Sequence, residues 1–191
     1  VWACPNGIRL DSLDDEVIKA MDSAGCYSVA VGIESGTQRI LDLMRKKSAL
    51  NDLILKVLEI RKLTDWYITG FFIIGYPGET IEEMKKTIAL SRRLPLDKAN
   101  FGLLMPLPGT EVEEAARKSG WNPDTDLLRM SEYRSPFTPE GVTQKQMRRL
   151  LQVAFIGFYA RPRIIWSFIR QIKSFDQVKI LFRRLEDVIK P

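Results

Sequence analysis

Three short stretches of this sequence set chemistry-capable groups where a chain must turn. Gly32-Ile33-Glu34-Ser35-Gly36 puts a carboxylate between two glycines that would let a ligand approach the backbone. That carboxylate could equally pair with a nearby cation or cap the helix that follows. Gly75-Tyr76-Pro77-Gly78-Glu79-Thr80 exposes backbone N–H groups ahead of a helix start, which suits an anion or polar ligand and is also how a plain strand-to-helix turn reads. Met105-Pro106-Leu107-Pro108-Gly109-Thr110 carries two prolines that free its backbone from strand pairing; alone it is a stiff turn. The chain has no histidine, which removes the commonest general base and the commonest nitrogen ligand together. Cys4 and Cys26 are its only cysteines, too few for a disulfide framework and spaced for neither a CxxC pair nor a zinc site, so no metal site is expected. Chemistry here must draw on carboxylates, Lys, Arg or a bound cofactor.

The elements that must position these residues follow from hydrophobic period. Four β-rich runs, each followed by a helical pattern, predict a parallel α/β sheet. The first run lies around residues 1–9. Ser12 is then expected to cap a helix with Leu13, Val17, Ile18 and Met21 on one face, stopped by Gly25 in the left-handed conformation. Residues 27–33 form the second strand. Thr37 should cap a short helix through Ile40, Leu41 and Met44, and Ser48 a longer one whose Leu53, Ile54, Val57, Leu58 and Ile60 mostly face the core. Residues 67–74 are almost continuously apolar, as in a strand buried on both faces. Thr80 with Glu83 forms a capping box for a helix to about Arg93; residues 98–105 form the fourth strand, and Thr110 with Glu113 repeats the box. Each turn above therefore falls at the carboxyl end of a strand, the edge where parallel α/β sheets bind ligands.

In combination these tips resemble the radical S-adenosylmethionine (SAM) superfamily, and within it the cobalamin-binding branch. The carrying segments are Ile8-Arg9-Leu10-Asp11 with Leu13 and Glu16, Ala24-Gly25-Cys26, GIESGTQRILDLMRKK from Gly32, GFFIIGYPGET from Gly70 and PLPGTE from Pro106, covering residues 1 to about 115. The resemblance implies an incomplete (β/α) partial TIM barrel made of the last four βα units, with SAM lying across the strand tips. It implies that Glu34 contacts the SAM ribose, with Ser35 beside it, that Lys46 meets the SAM carboxylate, and that Arg9 points at SAM or substrate. Gly75 and the backbone of Leu104 and Met105 would flank the adenine. Phe71 stands where related branches place an acidic ribose contact, so Glu34 carries more of that role. The family's CxxxCxxC, whose thiolates hold a [4Fe-4S] cluster, is missing. The expectation is thus a fragment of a longer enzyme whose absent N-terminal part brings the cluster and, in this branch, cobalamin. The parent would cleave SAM to a 5′-deoxyadenosyl radical for oxidoreduction or methyl transfer, and the fragment alone would be inactive.

Composition bounds the rest. With 45% hydrophobic residues over 191 positions the chain can bury one sizeable core, and no apolar run reaches the roughly 20 residues that span a bilayer. A cytoplasmic location is expected. Three parts are predicted: a partial barrel over 1–119, a linker or ordered excursion over 120–140 rich in turn residues, and a helical extension over 141–191. The extension carries 11 Lys and Arg against 3 Asp and Glu. Gln146 three residues after Thr143 opens its first helix, Pro162 its second, and residues 178–189 its third. The Phe158-Tyr159-Ala160-Arg161-Pro162 stretch resembles the extension of cobalamin-binding radical SAM proteins. Its apolar face is expected to cover the open barrel, although aromatics beside Arg and Lys would also suit a lipophilic or anionic small molecule, or a membrane surface. The alternative to an enzyme fragment is a non-catalytic α/β module or an RNA-binding piece of a tRNA-modifying relative. Phe155, Phe158, Trp166 and Phe168 fall at core-like helical spacing, which argues against RNA. A sheet lacking its first strands leaves an unpaired edge and predicts self-association.

Overall fold

The β-rich runs pair in chain order. In the computed structural model, which describes residues 1–118, 121–122, 133, 135 and 137–171, β1 (Trp2–Ile8), β2 (Cys26–Glu34), β3 (Tyr67–Ile74) and β4 (Lys98–Leu103) form one sheet in that order, every pairing parallel. Between and after them lie α1 (Asp15–Ser23), α2 (Gln38–Leu43), α3 (Leu50–Leu63), α4 (Ile81–Arg93), α5 (Glu111–Lys118), α6 (Gln144–Tyr159) and α7 (Pro162–Gln171). Parallel order puts all four strand tips on one edge. Residues 178–189 and most of 120–140 lie outside the described residues.

Among the described residues, helices pack on one face of the sheet. Along β3, Ile68, Gly70, Phe72 and Ile74 are buried while Tyr67, Thr69, Phe71 and Ile73 are half-buried, so the strand is not enclosed on both faces as its composition implied. The packed side takes Ile18 of α1, Val57 and Ile60 of α3, Met84 and Ile88 of α4, and Met147, Leu151, Ala154 and Phe158 of α6 into one core. Phe101 of β4 is its hub: it stacks on Phe72 at 5.3 Å and meets Phe155 and Phe158 edge-on at 5.3 and 6.4 Å. α6 therefore lies beside α4 on the helical face, and the Tyr159 hydroxyl donates to the Ala99 carbonyl at 2.7 Å. In α6 this departs from the expectation that the extension covers the barrel opening, because its aromatics have a closer apolar partner in Phe101; residues 172–191 of the extension lie outside the described residues. Trp166 is 56% exposed and does not belong to the core its spacing suggested.

Several helix starts move for local reasons. Ser12 ends a 3-10 turn, Leu10–Ser12, and donates to the Arg9 carbonyl, while Asp14 caps α1 by accepting the Val17 N–H at 2.8 Å. Val17 consequently faces solvent, as does Leu58 on α3. Ala49, not Ser48, is the N-cap of α3, because Gln38 reaches from α2 and accepts the Leu50 N–H at 2.6 Å. Thr37 holds the N-cap position of α2, but its side chain accepts no capping hydrogen bond from the helix. The capping boxes at Thr80/Glu83 and Thr143/Gln146 form in full. β4 ends at Leu103, two residues before Met105, and Gly25 stops α1 at φ +86°.

Gly36 is needed for packing. A Cβ there would sit 2.6 Å from the Thr87 Cα and backbone N, so only glycine lets the loop after β2 touch α4. Gly36→Ala should lower stability by about 2–3 kcal/mol through overpacking. Gly78→Ala, in open space at φ +77°, should cost only about 1 kcal/mol. Urea denaturation midpoints of the two variants check this order.

Candidate functional site

At the tip of β2 the backbone leaves strand geometry. Glu34 has φ +66°, a left-handed conformation uncommon for a side-chain-bearing residue, and the Ser35 N–H closes back on the Ile33 carbonyl at 2.9 Å. The turn swings the Glu34 carboxylate back over Gly32, where a Cβ would lie 2.3 Å from Glu34 Oε1 and 3.3 Å from Lys46 Nζ. A Cβ at Gly32 would push the Glu34 carboxylate aside, whereas one at Gly36 would meet the α4 backbone, so only Gly36 is required by packing. Lys46 arrives from the end of α2, where Arg45 at φ +53° lets the Lys46 N–H close on the Leu41 carbonyl. Its ammonium donates to the Gly32 carbonyl at 2.5 Å and to Glu34 Oε1 at 3.3 Å. Both side chains stay about one-quarter exposed. An ammonium has three donors, so one N–H of Lys46 remains for a ligand.

This pair lies in a groove of about 420 Å³ at the sheet edge, a volume within the range of small-molecule sites. Asn6 to Asp11 form one wall, Arg45 to Ser48 another, with Gly32, Glu34 and Phe71 between. Arg9 lines it and is held by Asp11 through two bonds, at 3.0 and 2.5 Å. Of the residues singled out in the sequence, Arg9, Glu34 and Lys46 converge here. Ser35 does not: it is fully buried, its hydroxyl accepts the Thr37 N–H, and it stands 3.4 Å from the Thr87 hydroxyl. Gly75 faces α6, where a Cβ would meet the Met147 Cε at 2.4 Å. Leu104 packs on the small cluster of Ala116, Trp121 and Phe137, and Met105 is exposed outside the groove. The Asn6-Gly7 wall and Lys47 escaped sequence reasoning because an irregular edge strand and a solvated basic run carry no distinctive period.

The next two tips are closed by the chain itself. Glu79 Oε2 accepts the N–H groups of Gly75 and Tyr76 at 2.7 and 3.1 Å, which fills the turn that had read as an anion site. Glu113 Oε2 accepts the Gly109 N–H at 2.6 Å in the same i, i+4 manner, so the Thr110/Glu113 box forms only in half. The two carboxylates differ in charge balance. The Gly109 amide, and then Arg117, which donates twice to Glu113, hold its pKa below the usual carboxylate range. Glu79 is 2% exposed and its Oε1 has no partner, because Arg39 is taken by Glu83. Burial pushes the Glu79 pKa up to about 7, and the Arg39 guanidinium holds Glu83 down at about 2.

Comparisons with known proteins give the site a context. Residues 3–91 match the Radical SAM superfamily. An uncharacterized methyltransferase of Pyrococcus horikoshii is 34% identical over 163 residues, which cover 82% of this chain and 34% of that protein. The cytidylyl-2-hydroxyethylphosphonate methyltransferase of Streptomyces wedmorensis is 32% identical over 137 residues, 68% of this chain and 26% of that one. Among solved structures, the radical SAM methyltransferase TsrM of Kitasatospora setae, with cobalamin and a [4Fe-4S] cluster bound, superposes with a TM-score of 0.53 at 17% identity over 76% of this chain and 29% of that one. That likeness is one of fold, a partial TIM-barrel-like α/β arrangement. The chain spans about a third or less of the length of each of these proteins.

The raised Glu79 pKa gives a signed pH dependence. The unfolded carboxylate ionises at its ordinary 4.5 while the folded one keeps its proton to about 7, so Glu79 withdraws stability as pH rises through that window. The total is about 3 kcal/mol. Glu83 acts in the opposite sense lower down, its contribution being present above pH 4.5 and lost as pH falls through about 2. Urea unfolding at half-unit pH steps should show stability falling between 4.5 and 7, and Glu79→Gln should flatten that limb and leave the acid limb unchanged. A wild-type slope retained by Glu79→Gln would contradict the assignment.

Proposed function

The chain belongs to the radical SAM superfamily, and from that premise we propose that its groove binds SAM for a longer enzyme that transfers a methyl group. One observation carries the reading: Glu34 and Lys46 meet over Gly32 at the tip of β2, accessible and of opposite charge, inside a groove of suitable size. SAM is a zwitterion with an α-carboxylate, a ribose diol and a cationic sulfonium. The Glu34 carboxylate accepts from the ribose hydroxyls, and the free N–H of Lys46 donates to the SAM carboxylate as a charge-assisted bond. Phe71 offers an apolar surface at the groove floor, and Arg9, held by Asp11, stands at the rim for SAM or substrate. Ser35 acts indirectly, by fixing the turn that sets Glu34. Gly75, Leu104 and Met105 shape the neighbouring tips.

SAM, when bound, supplies either its methyl group or a 5′-deoxyadenosyl radical; the residues here bind it, orient it and limit water around it. The two relatives carry methyltransferase names, which favours methyl transfer over other outcomes. The residues of this chain do not fit a [4Fe-4S] cluster: three thiolates are required, and the sequence has two cysteines, Cys4 half-buried on β1 and Cys26 buried on β2. The cluster and cobalamin belong to other parts of the parent protein, and the isolated chain binds SAM without cleaving it.

Calorimetric titration of SAM into the chain tests this. Weak binding is expected, with Lys46→Ala and Glu34→Ala each reducing affinity by about tenfold, the loss of one charged hydrogen bond. Gly32→Ala should do the same without touching either ligand group, because it displaces the Glu34 carboxylate. Affinity unchanged in all three variants, or no binding at all, would remove SAM from this groove.

A further inference from the structure

α7 presents an apolar surface that the core does not use. Its Ile164 is 1% exposed and anchors the helix, whereas Ile165, Trp166 and Ile169 are 45%, 56% and 54% exposed. Positions 165, 166 and 169 share one side of a helix, so the three form a continuous stripe within about a turn and a half, with Pro162 at its start. Single exposed apolar residues need no explanation; three large ones side by side do. The stripe is bordered by cations. Arg170 places its guanidinium 5.1 Å from the centre of the Trp166 ring, and Arg163 lies about two turns nearer the start of the helix, 3.3 Å from Asp97. Residues 141–191 as a whole hold 11 basic and 3 acidic side chains, while the rest of the chain is net acidic.

We propose that this face of α7 lies against an anionic lipid surface. An apolar stripe with Trp beside Ile, edged by Arg, matches a helix lying in the plane of a bilayer interface: its side chains enter the boundary between headgroups and acyl chains, and the basic edge meets lipid phosphates. Contact is peripheral, since no helix among the described residues is long and apolar enough to cross a membrane. Charge favours an anionic surface over a second copy, because an identical face offers the basic edge only the same Arg163 and Arg170 cations. The make-up of the stripe argues against RNA, which is bound in single-stranded form by several stacking aromatics, whereas here one Trp lies among aliphatic residues. The inference does not depend on what the groove binds.

The test is co-sedimentation of the 191-residue chain with vesicles of mixed phosphatidylglycerol and phosphatidylcholine, against vesicles of phosphatidylcholine alone. The anionic vesicles should bind at least about tenfold better, and raised salt should weaken that binding. Trp166→Ser with Ile169→Ser should reduce it by at least about tenfold, and Arg170→Gln more modestly, with circular dichroism and melting temperature unchanged because all three side chains are exposed. Absence of binding to the anionic vesicles, or equal binding by the double variant, would overturn the proposal. So would a dimer that the double variant dissolves without any vesicle binding, which would give the face to a second copy. Tight RNA binding at physiological salt, lost in the same variant, would give it to RNA instead.

Discussion

The organisation of the site depends on one close approach: the Glu34 carboxylate folds back over a residue with no side chain and meets Lys46 there. Three backbone conditions must hold together. Gly32 leaves the carboxylate the space a Cβ would take, Glu34 must accept a positive φ, and Arg45 must turn α2 sharply enough to return Lys46 toward β2. A left-handed residue costs on the order of 1 kcal/mol, and such strain persists only where surrounding structure over-determines it. Here Ser35 and Gly36, locked against Thr87 of α4, hold the far side of the turn. The charge pair at the groove is therefore set by the packing of a helix on the opposite face of the sheet.

The strand tips also divide their labour. Carboxylates close the tips of β3 and β4 by accepting glycine amides four residues back, so those turns keep their shape without a ligand. At β2 the carboxylate is left accessible. The same side-chain type thus serves as an internal cap at two tips and as a groove-lining group at the third, and backbone direction decides between them. Glu34 turns into the groove, whereas Glu79 and Glu113 lie in the first turns that follow their strands and point back at them.

Much of this was legible in the sequence because it rests on local rules. The four strands with their intervening helices, the span of β3, the boxes at Thr80 and Thr143 and the stop at Gly25 follow from period, capping chemistry and glycine geometry, while the order of the strands was implied by the family resemblance. What was not legible depends on contacts between distant segments. Ser48 lost its cap to Gln38, a residue ten positions earlier on another helix. Residues 67–74 suggested enclosure on both faces, but their composition cannot tell a packed face from one that is only half-covered. Ser35 sits beside Glu34 in sequence yet faces α4, because the positive φ of Glu34 separates the two side chains. Gly75, Leu104 and Met105 carry the right local pattern for a strand tip but lie away from the groove formed by β1, β2 and the segment after α2.

The central claim, that SAM is held at the tip of β2, is tested most directly by amide chemical shifts of the isotopically labelled chain during SAM addition. Shifts centred on Gly7, Gly32, Glu34 and Lys46, with the amides of Gly75 and Gly109 undisturbed, are the predicted result. Shifts centred on Gly75 to Glu79 or on Gly109, with Gly32 and Glu34 unmoved, would contradict it and move the ligand to a different edge of the sheet.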